Sequence, residues 1–143
     1  MDPRDFQQVA TNLAAAGNPA ETRSAISRCY YAAFNVAREF VILGHNRVAS
    51  GPSAHGKVPH YLNNCGDLTI AAVSSKLGDL HGLRIKADYS MDNRYVEIPS
   101  TALFNVKIAE SIINDLDACM GDAARYQKTA EGIKAYKESI NEA

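Results

Sequence analysis

The chain has 143 residues, of which 46% are hydrophobic, and a formal net charge of −1 from 15 basic and 16 acidic side chains. That length supports one domain with its own core, without disulfides or metal, and the charge balance excludes the broad basic excess of a dedicated nucleic-acid binder. Three cysteines without CxxC spacing, Cys29, Cys65 and Cys119, read as free thiols in a reducing compartment. No apolar run approaches the ~18 residues of a membrane span, and the polar start predicts no leader, so a cytoplasmic protein without membrane contact is expected.

Asp2-Pro3 predicts a helix start, with Asp2 as cap and Pro3 in the first turn, and Phe6, Val9 or Ala10, and Leu13 supply its apolar face up to Gly17. Asn18-Pro19 then precedes residues 20–43, which contain no Gly or Pro and form a long second helix. Ile26, Tyr30, Ala33, Ala37, Phe40 and Val41 cluster on one side of it, and Ser24, Arg28, Tyr31, Asn35 and Arg38 run along the other. Residues 44–66 are rich in Gly and Pro and hold His45, His55 and His60, so they read as a long connection with a turn of helix around Tyr61-Leu62. Asp67 caps a third helix reaching about Asp88, residues 90–99 form a second loop, and Ser100 starts a fourth helix. There Ala102, Val106, Ala109, Ile113, Leu116 and Met120 keep the four-three spacing of a bundle seam, with Gly121 as the stop. From Asp122 onward Tyr126, Ile133, Tyr136 and Ile140 leave a thin stripe among charges, a last helix that is peripheral or a partner contact. No strand alternation competes with an all-α reading.

The third helix carries the most informative stretch. Its apolar stripe, Ile70, Val73, Leu77 and Leu80, continues at helical spacing into Arg84 and Asp88. Charges are rarely buried unless paired, so the pair is an internal brace, the lining of a functional cleft, or a solvated ion pair. A carboxylate in a last helical turn opposes the macrodipole, so Asp88 is expected to take a further partner such as Arg28. Tyr89 is expected to pack its ring and tether a loop through its hydroxyl. The row Arg28, Tyr31, Asn35 and Arg38 suits phosphate binding and base stacking, or else is a solvated helix face. The histidines lack an HExxH pattern or a cysteine partner, so no metal is expected. His55 is a candidate general base or an ordinary loop histidine.

Two segments, Ser27-Arg28-Cys29-Tyr30-Tyr31-Ala32-Ala33-Phe34 and Leu83-Arg84-Ile85-Lys86-Ala87-Asp88-Tyr89, lie in that order on successive long helices with His55-Gly56 between them. Together they resemble the HEPN family of small prokaryotic helical bundles, over about residues 5–120. The resemblance implies an up-and-down bundle of four to five helices over 1–120, with 121–143 as a C-terminal helical extension, that commonly forms a homodimer. It implies a protein of toxin-antitoxin or defence type that acts on or binds RNA or nucleotides, or partners a nucleotidyltransferase. The family's ribonuclease signature, an Arg four to six residues before a His in the second half of the domain, has no counterpart there in this chain, and Arg38 with His45 is a chance match. An endoribonuclease reading uses Arg84, His55 and Asp88 as the catalytic set, with Arg28, Tyr31, Asn35, Arg38, Lys86 and Tyr89 in binding and no cofactor. The alternatives are a non-catalytic interaction module, with the Arg/Asp cluster as a structural brace, and a small-ligand or nucleotide-binding dimer.

Overall fold

In the computed structural model, which describes residues 1–143, six helices account for most of the chain and there are no strands. They are α1 (Asp5–Ala16), α2 (Pro19–Leu43), α3 (Ala54–Asn63), α4 (Leu68–Tyr89), α5 (Pro99–Met120) and α6 (Ala123–Ser139), with a 3₁₀ turn at Tyr95–Glu97. The first helix starts later than Asp2-Pro3 predicts. The Asp2 carboxylate accepts the Arg4 N–H at 2.9 Å and so caps a turn that precedes α1. Gly17, at φ +82°, ends it in the left-handed conformation that glycine adopts without strain. The start of α2 follows its sequence, with Pro19 in the first turn and the Asn18 side chain accepting the Glu21 N–H at 2.9 Å.

The long α2 is the central rod. It packs on α1, α4 and α5, and buries Ile26, Tyr30, Ala33, Ala37, Phe40 and Val41, the face that its periodicity predicts. Facing it, α5 buries Ala102, Val106, Ala109, Ile113 and Leu116, with Met120 partly covered at its end. All three cysteines are buried and unbridged. No helix is long and apolar enough to cross a membrane.

Helix α3 corrects the expectation of a long irregular connection. Ala54, Val58, Tyr61 and Leu62 are all buried, spaced four, three and one apart, a helical face that Gly56 and Pro59 disguise in the sequence. Pro59 has no N–H to offer the His55 carbonyl, so α3 lacks one bond of its ladder and relies on packing against α4.

Two attachments position the rest. Arg23, on α2, donates to the carbonyls of Lys86 and Ala87 at 3.3 and 2.9 Å and to those of Met91 and Asn93 at 3.1 and 2.9 Å. It also pairs with Glu97 at 3.0 Å. One guanidinium thereby satisfies carbonyls left open at the end of α4 and holds the 90–98 loop. At the other end of the molecule α6 is fastened more firmly than a thin stripe suggests. Thr129, Ile133 and Lys137 are buried, Arg125 pairs with Asp67 at 2.7 Å, and the Tyr126 hydroxyl donates to the Phe40 carbonyl at 2.5 Å. A Cβ on Gly132 would meet the Cys65 carbonyl oxygen at 1.9 Å, so the backbone of α6 rests directly on the segment after α3.

Candidate functional site

The continuation of the α4 stripe into charge puts Arg84 inside the molecule, 8% exposed, under the aromatic residues of α2. Its guanidinium carbon lies 5.3 Å from the ring centres of both Tyr30 and Tyr31, a cation held against two aromatic faces. Asp88 is the carboxylate within ion-pair distance, at 3.8 Å from Nη1, longer than a hydrogen bond, and the buried Nε has no partner. Asp88 takes its short contact elsewhere: the Ser27 hydroxyl donates to Oδ2 at 3.1 Å. The expected Arg28–Asp88 pair does not form. Arg28 instead lies over Phe6 at 5.3 Å and Tyr31 at 5.6 Å, on the outer side of α2.

Two imidazoles complete the cluster. His55, in the first turn of α3, stacks on Phe34 with ring centres 4.2 Å apart, and its Nδ1 lies 2.6 Å from the Tyr30 hydroxyl. His81 of α4 is nearly parallel to His55, at 5.4 Å and 8°, and also stacks on Tyr30 at 5.1 Å. Sequence reasoning sets His81 one position from the Arg84 stripe but gives it no role, although its place three residues before Arg84 puts both on one helical face. Burial lowers the pKa of both rings. The Arg84 charge pushes the same way on each, and on His55 the two imidazoles also oppose each other. Both are therefore neutral at physiological pH.

The Tyr30 phenol is raised well above its ordinary value, chiefly by burial, with the Arg84 charge as the largest opposing effect. It keeps its proton, and a phenol that donates to His55 Nδ1 requires the imidazole tautomer with its own proton on Nε2. In that tautomer His55 is an N–H donor toward anything beside Nε2 and no base at that nitrogen. His81, which Tyr30 does not tie, is the imidazole free to accept a proton.

A shallow groove of about 360 Å³ opens between α2 and the start of α3, lined by Tyr31, Phe34, Asn35, Arg38 and His55 among others. The structure thus joins three residues of the polar α2 row to His55, and Tyr31 and His55 link the groove to the surroundings of Arg84. Asn35 and Arg38 also line a second, smaller groove of about 220 Å³ that includes Phe6. Lys86 and Tyr89 stay outside. Lys86 is exposed, and Tyr89, expected to pack and tether a loop, is 73% exposed. The tether of that loop is Arg23. His45 and His60 are exposed, and no group of three or more His, Cys, Asp or Glu side chains could hold a metal ion.

The largest cavity, about 670 Å³, lies apart from this cluster, between the end of α2 and α6. The chain matches no family model, and neither curated proteins nor solved structures yield a match to it.

Proposed function

We propose that this chain is a HEPN-like protein of toxin-antitoxin or defence type that binds RNA or nucleotides in the groove beside Tyr31 and His55. The observation that supports this reading best is Arg84. A guanidinium carries five N–H donors, and here it sits 8% exposed with its nearest carboxylate at 3.8 Å and a buried Nε without a partner. A buried cation short of acceptors suits an anion. The His55 Nε2–H and Arg38 add donors, and Tyr31 gives a flat face for a base. Were the bound RNA also cut, His81 would take the 2′-hydroxyl proton as that oxygen attacks phosphorus, the P–O5′ bond would break with water protonating the departing 5′-oxygen, and His55 and Arg84 would hold the phosphate, so cleavage assigns the base to His81 and not to His55. A homodimer, a nucleotidyltransferase partner and a cytoplasmic setting belong to the same proposal.

The test is fluorescence anisotropy of a labelled single-stranded RNA, and calorimetry with AMP, on wild type, Arg84→Met and His55→Gln, each checked for folding by circular dichroism. Total RNA is incubated with the same proteins to read cleavage. Binding that weakens about tenfold or more in folded Arg84→Met is expected. Wild type that binds neither RNA nor nucleotide overturns the reading. The brace reading has one observation in its favour, the Ser27–Asp88 bond at 3.1 Å that anchors α4 to α2. It requires Arg84→Met to lower stability while leaving RNA and AMP binding as in wild type.

A further inference from the structure

The cavity between α2 and α6 has the features of a ligand site of its own. Its walls are apolar at Leu43, Met120, Tyr126 and Ala130, and its volume of about 670 Å³ is that of a pocket for a small molecule. Leu43 is 62% exposed into this space. Glu131 and Lys134 add one charge of each sign to the lining.

The lining includes a polar side chain. Asn46 is only 6% exposed, and its Nδ2 donates to the Ala130 carbonyl at 3.0 Å and more loosely to the Gly44 carbonyl at 3.4 Å. Carbonyls only accept, so these bonds fix which way the amide points. Its Oδ1 accepts from no protein donor and is open to solvent, on a residue that lines the cavity.

The backbone at the mouth is unusual in the same place. Helix α2 ends with the His45 N–H on the Ile42 carbonyl and the Asn46 N–H on the Val41 carbonyl, a closure that usually sets glycine at the left-handed residue. Here that residue is His45, at φ +65°. Glycine stands one position earlier, where a Cβ would come within 3.0 Å of the Ala130 Cβ. The chain therefore keeps α6 close through Gly44 and accepts strain to set an imidazole on the rim.

We propose that this cavity binds a small planar heteroaromatic molecule bearing an N–H donor, its ring against Tyr126 and Leu43 and its N–H on Asn46 Oδ1. The proposal does not depend on the RNA reading of the groove beside Tyr31 and His55. The probe pair is 3-aminoquinoline and quinoline, which share a ring and differ by the donor, read by saturation-transfer NMR and calorimetry in mildly alkaline buffer, where both are uncharged.

The expected result is that 3-aminoquinoline binds about tenfold more tightly than quinoline, the difference of one hydrogen bond. Ala123→Trp, which fills the cavity from an exposed position, abolishes both signals, and Arg84→Met leaves them unchanged. Should Ala123→Trp fail to fold, Gln127→Trp fills the same space from another exposed position. No binding of either probe at millimolar concentration overturns the proposal, as does equal binding of the two, or binding that persists in the filled variant.

Discussion

The Tyr30 hydroxyl and His55 Nδ1 lie 2.6 Å apart, and the tautomer of an imidazole in the groove turns on which of the two donates. Tyr30 is fully buried, so a phenol there without an acceptor would be costly. Replacing it with Phe removes the donor and frees His55 Nδ1. Nitrogen-15 NMR of the neutral ring should show the Nε2–H form in wild type and a mixture of both tautomers in Tyr30→Phe. A wild-type spectrum dominated by Nδ1–H sinks the assignment of His55 as a donor.

Stability should fall in mild acid. An unfolded histidine titrates near its ordinary value of 6.5, and His55 and His81 titrate lower in the folded chain. As pH drops through 6.5 the unfolded state takes up protons that the folded state refuses, so the contribution present above 6.5 is lost until the folded values are passed. Both rings are partly open to water, which screens the effect. Urea unfolding at a series of pH values should show this slope, and His55→Gln with His81→Gln should flatten it. In Arg84→Met both rings should titrate higher, as followed by NMR, because the nearby cation is gone. Unchanged titrations in that variant contradict the placement of Arg84.

Arg23→Met should cost about 3 kcal/mol, the cost of removing one partner from a buried charged network. The carbonyls of Lys86, Ala87, Met91 and Asn93 would lose their common donor. Amide hydrogen exchange should accelerate over 86–98 well beyond the change in α5. Arg23→Lys retains the charge but not the fork, and should recover only a small part of the loss.

Gly132→Ala offers a test by sign. In an open helix interior the change stabilises by roughly 1 kcal/mol. Here the added Cβ would stand 1.9 Å from the Cys65 carbonyl oxygen, closer than atoms approach, and the contact is with backbone. The variant should therefore unfold at lower temperature than wild type, by about 1–3 kcal/mol, with the largest chemical-shift changes in α6 and residues 64–67. A rise in melting temperature would falsify the docking of α6.

Much of the architecture is legible in the sequence because α2 and α5 are long and strictly periodic, so their buried faces follow from spacing alone. Helix α3 is hidden because two residues that usually end helices, Gly56 and Pro59, sit inside a short face of four buried side chains. The site is half legible. Arg84 stands out as a charge in an apolar stripe, and the α2 row from Tyr31 to Arg38 does line a groove. The acceptors of Arg23 are backbone carbonyls, which carry no residue identity, so nothing in the pattern marks it. His81 needed only its distance from Arg84, whereas the partner of Asp88 turned on which of two neighbours, Ser27 or Arg28, the helix turns inward.

The contact at Gly132 also indexes α6 along its own length. Sliding the helix by one position would set Glu131 or Ile133, each with a side chain, where only a bare backbone fits against Cys65. Gly44 imposes the same demand from the opposite partner, since it meets Ala130 one half-turn away. Two glycines on two different segments thus act as a lock and its counter-lock. They single out one alignment for a helix whose sparse apolar stripe would tolerate several.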